Sequence, residues 1–178
     1  MNINWVIGEH IILDPTTDIT RLKNIGSMWG SWKTYRTCPT DNTICYDTEK
    51  ARDLVKNKFH TMSNLYVHNT VFADQEVPKN IREFGGNFEH EVENRDEIIC
   101  VHLCASLADI VLLYGFDWST NGLKSKSEHY RGLTLQAIKN YPDTQFLLVD
   151  HTDKIDPDYA VLDNLTSDSL KNVLSILP

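Results

Sequence analysis

The densest chemistry in the chain lies between Ser27 and Arg36, in the run Ser-Met-Trp-Gly-Ser-Trp-Lys-Thr-Tyr-Arg. Trp29, Trp32 and Tyr35 recur at every third residue, with Lys33 and Arg36 beside them. On a helical turn the three rings lie near one another. Rings so placed stack on a base or a sugar while the cations hold a phosphate. The same spacing also suits a packed aromatic corner with solvated cations, and both readings stand at this level. A second set of polar residues follows the apolar runs: Glu9 and His10, Asp47, His68, Asp117 and Ser119, Asp150 and His151. An acid at the end of a strand accepts hydrogen bonds from ribose hydroxyls. Asp47 is equally placed to cap a helix, with Glu49 and Lys50 in its first turn. Neighbours on a strand point to opposite faces, so Asp150 and His151 form no dyad by themselves. Asp117 or Asp150 can instead orient a histidine from another strand. Glu128 opens a helical segment, where a carboxylate either faces a pocket or simply complements the helix N-terminus. The catalytic candidates are therefore Asp117, Glu128 and Asp150. The ligand-binding candidates are Glu9, Trp29, Trp32, Lys33, Arg36, Asp47 and Ser119.

These residues meet only if the elements before them align. Ile110–Gly115 is an apolar run bounded by Asp109 and by Phe116-Asp117, the pattern of a strand buried on both faces. Gln145–Asp150 reads the same way, and shorter strands are predicted at Asn4–Gly8, Thr43–Tyr46 and Leu65–Val67. Helical patterns lie between them: a short one between Asp18 and Gly26, then about 49–59, 95–107 and 128–140. A last helix is predicted from a cap at Thr166 or Ser167 to Leu177. The segment 69–93 carries Pro78 and Gly85-Gly86 and reads as an irregular excursion with one short helix near 79–84. Strands alternating with helices predict an α/β fold, a Rossmann-like three-layer sandwich with a mostly parallel sheet of about five strands, in one domain spanning 1–178. Such sheets bind ligands beyond the carboxyl ends of their strands. The first loop, Gly8-Glu9-His10-Ile11-Ile12-Leu13, lacks the Gly-x-Gly-x-x-Gly pattern, which disfavours a dinucleotide held there in the usual way.

Composition sets further bounds. The chain has 178 residues and a net charge of −8. A chain of this length buries roughly 70% of its unfolded surface, so no disulfide or metal is required for stability. The charge balance disfavours nucleic acid as a partner. The four cysteines, Cys38, Cys45, Cys100 and Cys104, have no zinc-knuckle spacing, and no metal site is expected. Cys100 and Cys104 lie one turn apart, sharing a face with Leu103 and Leu107, and read as small core residues. No signal peptide and no apolar run of about 18 residues is present, so no membrane association is expected.

Three resemblances extend this reading. Ala108-Asp109-Ile110-Val111 followed by Glu128 resembles nucleoside deoxyribosyltransferase-like folds, whose helix-opening glutamate is the nucleophile. The Gly-Thr that precedes that glutamate in the family is absent here. Gly115-Phe116-Asp117 resembles the strand end of Rossmann-like glycosyltransferases of the sialyltransferase type, although their glycine-rich first loop is absent. Over nearly the whole chain, the runs Trp29–Arg36, Thr40–Cys45, Leu112–Trp118, Val149–His151 and Asn164–Thr166 resemble an uncharacterised Rossmann-like family from tailed phages of marine cyanobacteria. That resemblance implies a viral origin and a place in the host cytoplasm or the assembled virion, and it carries over no catalytic residue. The expected function is binding of a nucleotide or sugar-phosphate at the strand ends, with transferase or hydrolase activity as an extension and the cofactor open. The alternative is a non-catalytic phage protein, a virion component or an inhibitor of a host protein, with the aromatic-basic stretch as its binding hot spot.

Overall fold

Two apolar runs far apart in sequence, Ile3–Ile7 (β1) and Ile110–Tyr114 (β6), lie side by side at the middle of one sheet. The computed structural model describes residues 1–9, 11, 19–73, 75–86, 95–116, 124–150 and 162–177, with backbone only at 124–129 and 150. The remaining strands are Ser27–Ser31 (β2), Asn42–Cys45 (β3), Asn64–His68 (β4), Ile81–Phe84 (β5), Gln145–Asp150 (β7) and Leu165–Ser169 (β8). The helices are Ile19–Ile25 (α1), Thr48–Lys56 (α2), Arg95–Ala105 (α3), Lys124–Lys139 (α4) and Leu170–Ile176 (α5). Single 3-10 turns occupy Thr34–Arg36, Phe59–Thr61 and Asn69–Phe72.

The sheet runs in the order β5-β4-β3-β2-β1-β6-β7-β8, and every pairing is parallel. The architecture is α/β and Rossmann-like, as the alternation of elements implies, but the sheet has eight strands rather than about five. Strands β1 to β5 step outward in one direction. The chain then returns through α3 to β6 on the other side of β1, so the order reverses between β1 and β6.

Side-chain alternation divides the core between the two faces. Trp5 and Ile7 of β1, Met28, Leu112 and Tyr114 pack with Leu22 of α1 and Val173 of α5. Farther along that face, Cys45, Leu65 and Val67 meet Ala51 of α2 and Phe59. The other face presents Val6, Trp29, Ile44, Val111, Leu113 and Phe146 to α3 and α4. Helix α3 buries Ile98, Ile99, Cys100, Val101 and Cys104, nearly its whole circumference. Each fully buried aliphatic side chain contributes roughly 1.5–3 kcal/mol of transfer free energy, so this helix is the main clamp on the sheet.

Several expected elements are placed differently. Residues 27–31 form β2, not a helical turn. Residues 81–84 form the edge strand β5, not a helix. The Thr166–Ser167 segment lies within edge strand β8, and Ser169 caps α5 by accepting from Asn172 N–H at 3.3 Å. Helix α4 begins at Lys124, ahead of Glu128. Cys100 and Cys104 are buried as core residues, but Leu107 is 56% exposed. Asp47 does cap α2, accepting from Lys50 N–H at 2.7 Å.

Where the sheet order reverses, backbone packs directly on backbone. Gly8 N–H donates to the Tyr114 carbonyl at 2.7 Å. A Cβ on Gly8 would lie 2.3 Å from the Gly115 carbonyl oxygen. Gly115 itself has φ +80°, and a Cβ there would meet the Ile11 backbone at 2.7 Å. Gly115→Ala therefore adds both steric overlap and left-handed strain. Urea unfolding of this variant is expected to show a loss of about 3 kcal/mol, and Gly132→Ala, on helix α4 with open space around it, a change no larger than a few tenths of that.

Candidate functional site

Because all strands are parallel, their carboxyl ends share one rim. At this rim β1 gives way to Gly8-Glu9, β2 ends at Ser31, and β3 runs into Tyr46-Asp47. Helix α3 starts above them with Arg95, Asp96 and Glu97. Glu97 is fully buried. Its Oε1 accepts the Glu9 backbone N–H and its Oε2 accepts the Tyr130 hydroxyl of α4. The Tyr130 ring stacks on Phe116, with centroids 6.1 Å apart and planes 6° off parallel. The Glu9 side chain leaves this knot toward β2. Its Oε1 accepts from Ser31 Oγ at 3.2 Å and lies 3.6 Å from Lys33 Nζ. Ser31 Oγ also accepts from Thr34 N–H at 3.1 Å, which fixes the turn that carries Lys33. Beside it, Asp96 Oδ1 accepts the Tyr46 backbone N–H at 2.9 Å.

Lys33, Tyr46 and Asp96 border an open cleft of about 720 Å³ over the ends of β2 and β3 and the start of α2. Trp32, Lys33 and Tyr46 line it from the sheet side, with Arg95 and Asp96 from α3. Asp47 to Lys50 and Asp53 form the α2 wall. The cations lie against the rings: Arg95 sits 4.6 Å over Tyr46, while Lys50 and Arg36 sit 4.7 Å and 5.2 Å from the Trp32 ring centre. A volume of this size accommodates a mononucleotide or a hexose phosphate.

Burial controls protonation here. It pushes the Asp96 carboxyl up to about 6, against the Tyr46 amide and Lys33, which favour the anion. It pushes Glu97 up to about 8, and the Glu9 carboxylate adds to the rise, while the bonds from Tyr130 and the Glu9 amide oppose it. Burial and the adjoining Glu97 carboxyl drive the Tyr130 phenol well above its ordinary value.

The predicted site residues divide accordingly. Trp32, Lys33 and Asp47 line the cleft, Arg36 backs Trp32, and Glu9 reaches it through Lys33. Trp29 does not belong to it. As part of a strand rather than a helix, it turns to the α3 face, is 3% exposed, and packs on Tyr66 at 4.9 Å. Tyr35 packs edge-on against Phe59 at 4.7 Å on the opposite face. Asp117, Ser119, His10 and His151 lie outside the described residues, and Glu128 and Asp150 are placed by backbone alone. Asp150 ends β7 on the same rim, three strand spacings from β2, roughly 14 Å along the sheet. His68 is not poised as a base. Its Nδ1 bonds Thr70 Oγ1 at 2.8 Å and its Nε2 the Gly86 carbonyl at 3.1 Å, so the ring braces the exits of β4 and β5.

Sequence reasoning missed Arg95, Asp96, Glu97, Ser31 and Tyr130. The available signal was the position of Glu97, which shares a helical stripe with Val101 and Cys104 at i, i+4 and i+7 and so heads an apolar face. Among the described residues, no group of three His, Cys, Asp or Glu side chains is placed to hold a metal ion, and no helix is long and apolar enough to cross a membrane. Comparisons of the chain with protein-family models, curated proteins and solved structures returned no match.

A carboxyl that keeps its proton in the folded chain but loses it when unfolded ties stability to pH. For Glu97 the folded pKa is raised, from 4.5 to about 8. Its contribution is whole below about 4.5 and is lost as pH rises through about 8. Glu97→Gln, which keeps the shape without the charge, is expected to match the parent below about pH 5 and to exceed it in chemical denaturation at pH 9. Glu97→Ala is expected to be destabilised at both, because the Glu9 amide and the Tyr130 hydroxyl lose their partner.

Proposed function

We propose that this protein binds a nucleotide or sugar-phosphate in the cleft over the carboxyl ends of β2 and β3. The observation that carries the reading is the convergence, at one rim of a parallel sheet, of two aromatic rings with Lys33 and Arg95 around a space of about 720 Å³. The cations supply a seat for a phosphoryl group. The neighbouring carboxylates Asp47 and Asp96 accept from sugar hydroxyls. Turnover, as a transferase or hydrolase, would draw on Asp96. It borders the cleft, and burial shifts its carboxyl to about 6, into the range useful for proton transfer near neutral pH.

A melting screen against nucleoside phosphates and sugar phosphates tests this. A ligand at a hundred times its Kd stabilises by about 2.7 kcal/mol, a shift of several degrees. Lys33→Ala is expected to weaken such a ligand about tenfold or more, whereas Lys171→Ala on α5 leaves it unchanged. A flat response across the panel would overturn the proposal and favour the alternative, a non-catalytic protein that works by docking on a host or virion partner.

A further inference from the structure

The charge around the cleft narrows the ligand. Parallel α/β proteins seat phosphates mainly on backbone N–H groups, in the loop after the first strand and at helix N-termini. Here, among the described residues, a backbone donor in the loop after β1 and one at the start of α2 are each taken by a carboxyl group of the protein itself. The Glu9 N–H, in the β1 loop, donates to Glu97, and the Glu9 carboxylate sits beside it. At the start of α2, the Asp47 carboxylate takes the Lys50 N–H, and Glu49 adds a second negative charge in the same turn. Asp53 and Asp96 bring the carboxylates lining the cleft to four, against the three cations Lys33, Lys50 and Arg95. One of those cations, Lys33, already lies 3.6 Å from Glu9. A single phosphoryl group finds side-chain cations here. A chain of two or three phosphates would have to run along acidic walls.

Resting on the reading of the cleft as a ligand site, we infer that it takes a phosphate monoester, a nucleoside monophosphate or a sugar monophosphate, and rejects nucleoside di- and triphosphates and nucleotide-sugars. The cations hold the phosphoryl group, and Asp47 and Asp96 accept the sugar hydroxyls. Discrimination comes from repulsion between the second and third phosphates and the α2 wall, an effect that weakens with salt.

Titration calorimetry of the whole chain decides it, with the common nucleoside mono-, di- and triphosphates, a hexose monophosphate and a nucleotide-sugar, each with and without magnesium. The monoesters are expected to bind at least about tenfold more tightly than the matching di- and triphosphates. The double variant Glu49→Gln, Asp53→Asn, with both positions exposed, is expected to shrink that ratio while leaving monoester affinity within a few-fold. Tighter binding as phosphates are added, or a ratio the double variant does not alter, would overturn the inference and leave the cleft a ligand site. No binding by any compound would overturn the reading of the cleft as well.

Discussion

The buried carboxyl of Glu97 is the joint on which the rim of this sheet depends. One side chain ties the exit of β1 to the start of α3 and to the middle of α4, through the Glu9 amide and the Tyr130 hydroxyl. Burying a polar group without partners costs a few kcal/mol, so the three elements must stay in register for Glu97 to be satisfied. Protonation resolves the remaining conflict. Fully buried and with the Glu9 carboxylate close by, Glu97 is favoured as the uncharged acid at neutral pH.

That joint sets what lies at the surface. By holding the Glu9 backbone, Glu97 directs the Glu9 carboxylate toward Ser31 and Lys33. Ser31 in turn fixes the turn that presents Trp32 and Lys33. Asp96, the residue before Glu97, reaches the other way and holds the exit of β3 through Tyr46. Two adjacent acids at the head of one helix therefore organise the ends of three neighbouring strands. Two backbone donors at the strand exits, those of Glu9 and Tyr46, are used for this purpose.

The reversal of sheet order adds a second constraint. Rossmann-like folds commonly open a crevice between the two strands at which the order turns. Here Gly8, Gly115 and Ile11 bring backbone into contact at that place. The cleft described above lies one to two strands away, over β2 and β3. Parallel pairing keeps both places on one rim, since every strand in the sheet ends there.

The legibility of each element followed from how it is buried. Strands β1, β6 and β7 could be read because burial on both faces leaves an apolar stretch in each, Trp5–Ile7, Ile110–Tyr114 and Phe146–Val149. Edge strands β5 (Ile-Arg-Glu-Phe) and β8 (Leu-Thr-Ser-Asp-Ser) carry the polar residues that edges tolerate, and so resemble loop or helix start. Strand β2 is short and runs straight into a turn, so Trp29 of the strand and Trp32 and Tyr35 after it fall at helical spacing by coincidence. By itself, the sequence determined the α/β class with a mostly parallel sheet, the candidacy of Asp47 as the cap of α2, and the lack of a glycine-rich first loop. Each of these rests on local periodicity or on residues within a few positions. Only the tertiary structure decided that residues 9, 31, 46, 96, 97 and 130 meet at one rim, and that Trp29 faces away from the cleft. Those outcomes depend on which strands become neighbours and which face each residue takes, and long-range packing fixes both.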